Sequence, residues 1–129
     1  MNKILLDTSA WVEYFNGSDK GRKVREMLVS AGSFALTTGM VAAELASKFL
    51  REGKPADEIM IALRAISVLV AFDYDAAYKT AGIYVRQRKS KPKFGIVDAH
   101  IVAAAILNDA KIITCDTDFS GIQEAVVIK

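Results

Sequence analysis

The sequence predicts an α/β fold, a mainly parallel sheet with helices on both faces. Two observations carry this. Short apolar runs alternate with stretches of helical periodicity in the order β-α-(α)-β-α-α-β-α-α-β-β, and strands separated by helices are joined by the crossovers of a parallel sheet. One run, Lys111-Ile112-Ile113-Thr114-Cys115, is too apolar to face water on both sides. Right-handed crossovers then put successive helices on predictable sides.

Lys3 to Leu6 reads as a buried strand that stops at Asp7. Thr8 or Ser9 is expected to cap the helix that follows. Trp11, Val12, Tyr14 and Phe15 give that helix an apolar stripe, and Asn16-Gly17 ends it. Asp19 is the expected cap of a helix from about Lys20 to Ser30, with Lys20, Arg22, Lys23 and Arg25 along a solvated flank. A second strand, about Ser33 to Leu36, leads through Thr37-Thr38-Gly39 to a helix over Met40–Arg51 that Gly53 terminates. Pro55 suits the first turn of the next helix, which runs to about Ala65. Ser67 to Phe72 reads as a third apolar strand, and Asp75 as the cap of a helix ending near Arg88. Asp98 stands near the start of a helix whose face is Ile101, Val102, Ala105 and Ile106. Asn108-Asp109-Ala110 breaks it before the strand Lys111–Cys115. A turn or short helix over Phe119–Glu124 and an edge strand over Ala125–Ile128 close the chain.

At 129 residues the whole chain, 1–129, is expected to form a single domain. The 52% apolar share suffices for a core, and a net charge of +2 is too small to point to nucleic acid by itself. One cysteine rules out an internal disulfide framework and agrees with a reducing compartment. One Cys and one His also argue against a structural zinc site. The N-terminal apolar run, Ile4 to Leu6, is too short for a signal peptide, and no stretch reaches the ~20 apolar residues of a membrane helix. The expectation is a soluble, cytoplasmic protein.

Four carboxylates draw attention: Asp7, Glu44, Asp98 and Asp116. Each follows, or lies in a helix near, the carboxyl end of an expected strand, where open α/β sheets bind ligands. Read alone, Glu44 is an ordinary surface glutamate, although its neighbours Ala42, Ala43, Ala46 and Ser47 are small enough to admit a ligand. Converging carboxylates repel one another unless a cation intervenes. Oxygen ligands without His or Cys select Mg²⁺ or Mn²⁺. Such an ion holds a phosphate oxygen and activates a bound water.

The segments ILLDTSAWVEYF, TTGMVAAELAS, FGIVDAHIVAAAI and IITCDTDF, in that order, span essentially the whole chain. In them the sequence resembles the PIN-domain ribonucleases, and most of all the VapC toxins of toxin–antitoxin pairs. The resemblance implies a five-stranded parallel sheet in the order 3-2-1-4-5. It implies an acidic pocket of Asp7, Glu44, Asp98 and Asp116 that binds Mg²⁺ or Mn²⁺ and cuts RNA. Asp7, Asp98 and Asp116 would be the metal ligands, directly or through water, and Glu44 would orient the attacking water. Ser9 and Thr114 match hydroxyl positions that support the carboxylates. Asp118 is either an extra outer ligand or the cap of the turn before Phe119, and the cap is the preferred reading. A cognate antitoxin and a homodimer are the partners implied.

Arg86, Arg88, Lys89, Lys91 and Lys93 form the densest positive patch, just before Asp98. They read either as RNA contacts or as a flexible solvated loop. His100, two residues beyond Asp98, points roughly the other way on a helix and is read as a core or interface residue. Cys115 is read as a small buried residue at a strand end. Trp11 and Phe15 pack in the core or border an antitoxin groove. Tyr78, Ile83 and Val85 belong to the core or to a dimer contact. Two rival functions use a similar fold. A receiver-type phosphoacceptor domain wants an acidic pair early in the chain, which Asp7 lacks, and a Lys ending a late strand, whereas Lys111 begins one. A non-catalytic RNA-binding or assembly domain would not need the full acidic quartet.

Overall fold

The central strands are aliphatic on both faces, and the helices that cover them follow from that. The computed structural model describes residues 2–30 and 32–129. Its elements are β1 (Asn2–Leu6), α1 (Thr8–Asn16), α2 (Asp19–Val29), β2 (Ser33–Thr37), α3 (Gly39–Arg51), α4 (Ala56–Ile66), β3 (Val68–Leu69), α5 (Tyr74–Arg88), α6 (Ile96–Leu107), β4 (Lys111–Thr114), a 3₁₀ turn (Thr117–Phe119) and β5 (Ala125–Val127). All strand pairs are parallel and the order is β3-β2-β1-β4-β5. The expected α/β/α layering and strand order hold. A receiver-type 2-1-3-4-5 order is excluded.

β1 and β4 lie side by side, with Leu6 opposite Ile113. Their carboxyl ends therefore bring Asp7 and Asp116 to one place. Leu5, Leu6, Ile112 and Ile113 are buried, met by Trp11, Leu45 and Phe49 from one set of helices. α1 packs on α2 and α3, and α3 on α4, while α5 packs on α6. Right-handed crossovers set these two groups on opposite faces. α6 departs from the expected stripe: Ala99 to Ala105 are buried all round, and Ile106 faces solvent. A helix apolar on every side belongs inside, and its small alanines allow close approach to sheet and α5. Gly21 does the same for the α1–α2 crossing, where a Cβ would stand 2.0 Å from the Glu13 carbonyl oxygen. No helix among the described residues is long and apolar enough to cross a membrane.

Several local expectations need correction. α1 is capped by Asp7, not by Thr8 or Ser9: Asp7 Oδ1 accepts from Ala10 N at 2.9 Å. Likewise Ser18, not Asp19, caps α2, and Asp73, not Asp75, caps α5. In each case a residue one or two positions earlier holds the extended backbone from which an oxygen reaches the third helical N–H. The third strand is only Val68–Leu69, both exposed on the sheet edge, not the apolar run to Phe72. It pairs with Leu36 and Thr37, and beyond it Phe72 turns away to meet the His100 ring edge-on at 5.9 Å. β4 ends at Thr114, because Cys115 N donates to Ser9 Oγ (3.0 Å). The basic stretch is hydrogen-bonded over much of its length. Arg86 and Arg88 are in the last turn of α5, and successive turns tie Lys89, Ser90 and Lys91 back to Arg86 and Gln87.

Candidate active site

The carboxyl edge of the sheet holds three helix or turn starts, each occupied by an aspartate. Asp7 follows β1 and caps α1, Asp98 is at the third position of α6, and Asp116 follows β4 and caps the 3₁₀ turn. The positive end of a helix dipole favours a carboxylate there. Glu44 reaches the same place from the second turn of α3. All four line one cavity of about 650 Å³, together with Thr8, Ser9, Glu13, Lys20, Lys48 and Cys115.

Asp7 is the anchored member. Its Oδ1 accepts from Ser9 Oγ (2.7 Å) and Ala10 N (2.9 Å), and its Oδ2 accepts from Thr114 Oγ1 (2.5 Å). Burial pushes its carboxyl above the ordinary value, these hydrogen bonds pull it down, and the nearby Asp116 charge raises it again. Thr114 is fully buried and also accepts from Asp116 N at 2.9 Å, so one hydroxyl sets two carboxylates. Ser9 Oγ lies 3.3 Å from Thr114 Oγ1 and receives Cys115 N.

The other three carboxylates are held by one oxygen each. Asp98 Oδ2 accepts from Gly95 N (2.8 Å), Asp116 Oδ1 from Asp118 N (2.8 Å), and Glu44 Oε1 from Thr8 Oγ1 (2.7 Å). Among the described residues the second oxygen of each takes no hydrogen bond. Asp98 is half-buried and its carboxyl is raised, first by desolvation and then by the charges of Asp116, Asp118 and Glu44. That mutual repulsion is uncompensated negative charge, and a cation relieves it. Among the described residues no three His, Cys, Asp or Glu side chains stand close enough to hold one ion. The donor set is hard oxygen, suited to an ion bound through one or two carboxylates and several waters, as Mg²⁺ is.

Asp118 is not the turn cap. Its backbone N–H donates to the Asp116 carboxylate that caps the turn, and its own charge is felt at Asp98. His100 is buried as expected: Nδ1 meets the Val97 carbonyl, so it carries the proton, and Nε2 accepts from Thr38 Oγ1 at 2.8 Å. Burial holds its basicity below the usual value. The bond joins α6 to the cap of α3. Cys115 is half-buried beside the cavity rather than inside the core, with its thiol pushed up by burial. Trp11 is core, stacked on half-buried Phe15 at 5.9 Å. Ile83 is core as well, whereas Tyr78 and Val85 are 85% and 59% exposed.

The five basic residues do not line the cavity. Arg88 bonds Tyr84 Oη (2.8 Å) and Lys91 bonds the Ser120 carbonyl (2.8 Å). The cations at the acidic pocket are instead Lys20 of α2 and Lys48 of α3. In the sequence Lys20 reads as part of a solvated flank and Thr8 as a capping residue. Only the position of Lys48, one turn after Glu44, held a signal.

The chain matches the PIN domain model over residues 4–125. It is 35% identical over 124 residues to the VapC ribonuclease Mb1587 of Mycobacterium bovis, covering 92% of this chain and 90% of the relative. The same figures hold for the ribonuclease VapC11 of Mycobacterium tuberculosis. Among solved structures, a toxin–antitoxin complex from Klebsiella pneumoniae superposes with a TM-score of 0.77 at 22% identity, covering 98% of each chain. VapC20 of Mycobacterium tuberculosis, a toxin that cleaves the sarcin-ricin loop, superposes at 0.76 and 20% identity, covering 98% of this chain and 99% of that one. These two show a shared fold, and the sequence match carries the rest: the chain belongs to the PIN-domain family, among the VapC ribonucleases.

Proposed function

We propose that this protein is an endoribonuclease that hydrolyses RNA phosphodiester bonds at the acidic pocket, with Mg²⁺ or Mn²⁺, as the toxin of a toxin–antitoxin pair. One observation carries the reading. Three carboxylates from α3, α6 and the end of β4 line one cavity with Asp7, and among the described residues each keeps one oxygen without a hydrogen bond. Asp7, Asp98 and Asp116 would hold the ion, directly or through water. Bound there, it supplies charge neutralisation at the phosphate and a water of lowered pKa.

The chain's own residues supply the rest. Glu44 orients the attacking water and takes its proton. The water oxygen bonds to phosphorus, the bond to the 3′-oxygen breaks, and the departing 3′-oxygen takes a proton from solvent, leaving a 5′-phosphate and a 3′-hydroxyl. Thr114 and Ser9 keep Asp7 in place, and Asp118 adds negative charge behind Asp98. Lys20 makes no ion pair within 4 Å among the described residues and is available to an RNA phosphate, whereas Lys48 is held by Glu52 at 2.9 Å. Arg86, Lys89 and Lys93 are exposed beyond the pocket and suit the flanking backbone of a longer RNA.

An antitoxin segment suits the apolar groove lined by Tyr14, Leu28, Val29, Phe34, Ile66 and Val68. A second copy of the chain suits the opposite side, where Phe72, Tyr74, Tyr78 and Val85 are exposed. Family membership supports a cytoplasmic location. The test is cleavage of a labelled structured RNA with Mg²⁺, Mn²⁺ or chelator, beside Asp98→Asn. Metal-dependent cutting that the variant lacks is expected; full activity in Asp98→Asn would refute the assigned site.

A further inference from the structure

We propose that Thr8 is a positioning residue for Glu44, an inference that rests on the nuclease reading above. Glu44 is exposed, with a long rotatable side chain, and its one hydrogen bond among the described residues is the 2.7 Å bond from Thr8 Oγ1. Its ordinary partner would be Lys48, one turn along the same helix. Lys48 instead bonds Glu52 at 2.9 Å, and Lys54 joins that carboxylate at 3.1 Å. Among the described residues Glu44 is thereby left without an ion pair.

Thr8 is suited to hold it. It is the first residue of α1, immediately after Asp7, whose capping bond fixes the local backbone. Its β-branched side chain is stiff at χ1. A hydroxyl donor orients a carboxylate without neutralising it, which a lysine would not do. Consecutive residues thus fix both sides of the pocket: Asp7 is tied to Thr114 of β4, and Thr8 to Glu44 of α3. The second Glu44 oxygen stays available to a water.

The experiment compares Thr8→Val, Thr8→Ser and Glu44→Ala with wild type and Asp98→Asn. Thr8→Val is expected to lower kcat about tenfold, the loss of roughly one oriented hydrogen bond in the transition state, with KM for RNA within about twofold. Thr8→Ser restores most of the rate. In a Glu44→Ala background Thr8→Val adds nothing, because the two act as one unit. Side-chain NMR of metal-free protein shows Glu44 in one rotamer in wild type and Thr8→Ser, and averaged in Thr8→Val. Wild-type kcat in Thr8→Val, a further loss in the Glu44→Ala background, or an unchanged Glu44 rotamer would overturn the proposal while Asp98-dependent cleavage stands. If wild type does not cleave RNA, the nuclease reading falls and this assignment falls with it; the rotamer measurement then reports only the contact.

Discussion

Thr114→Val tests how the site is held together. Valine matches threonine in shape, so the variant opens no cavity and removes only the hydroxyl. Two hydrogen bonds go: the 2.5 Å bond to Asp7 Oδ2 and the 2.9 Å bond from Asp116 N. A bond to a charged acceptor contributes about 1.5–3 kcal/mol, and a part-buried N–H left without acceptor costs about 1 kcal/mol. The expected loss is therefore about 2.5–4 kcal/mol with Asp7 ionised. For 129 residues, 1 kcal/mol moves Tm by about 4 °C, so the midpoint falls by about 10–16 °C. The loss depends on pH in a defined direction. The Thr114 hydroxyl is one of the contacts that pull the Asp7 carboxyl down against burial. Without it the folded-state value rises further. A folded protein that holds a proton its unfolded chain has released loses stability as pH rises between the two values. The deficit of the variant is thus smallest where Asp7 is protonated in both folded proteins, and it grows as pH rises through their folded-state values. The assay is thermal unfolding by circular dichroism in chelator across pH 4 to 8, with Thr114→Ser as the variant that keeps the hydroxyl. An equal loss at every pH, or a loss in Thr114→Ser as large as in Thr114→Val, would refute the reasoning.

Three other outcomes follow from the geometry. Mg²⁺ at tenfold its Kd should stabilise wild type by about 1.4 kcal/mol, read as a Tm rise of about 5 °C, and should leave Asp98→Asn unmoved. Gly21→Ala should cost at least about 2 kcal/mol, because the new Cβ meets backbone at Glu13 and α2 must shift away from α1; a melt within 3 °C of wild type would contradict this close crossing. If the proposed dimer forms through this exposed side, Tyr78→Glu should shift sedimentation toward the monomer without lowering Tm; a dimer unchanged in the variant, or a wild type that sediments as a monomer, would refute that contact.

The division between what sequence and structure each determine is physical. Periodicity is local, so the chain alone announces the alternation of strands and helices, with Leu5, Ile112 and Ile113 in the core. The order of the motifs identifies the four carboxylates as candidates. Tertiary structure decides what depends on residues far apart in the chain. Thr8 has the composition of a cap, but a glutamate 36 residues away takes its hydroxyl, and Asp7 caps α1 in its stead. Thr114 meets Asp7 across 107 residues only because β1 and β4 are neighbours in the sheet. Charge density in the sequence pointed to Arg86–Lys93, yet packing of α2 and α3 puts Lys20 and Lys48 at the pocket. The third strand reads as six residues, five of them apolar, and pairs over two, because an edge strand is supported on one side alone and Phe72 finds His100 instead. Which side chain reaches which partner is set by crossover handedness and helix approach, and neither is written in any short window of sequence.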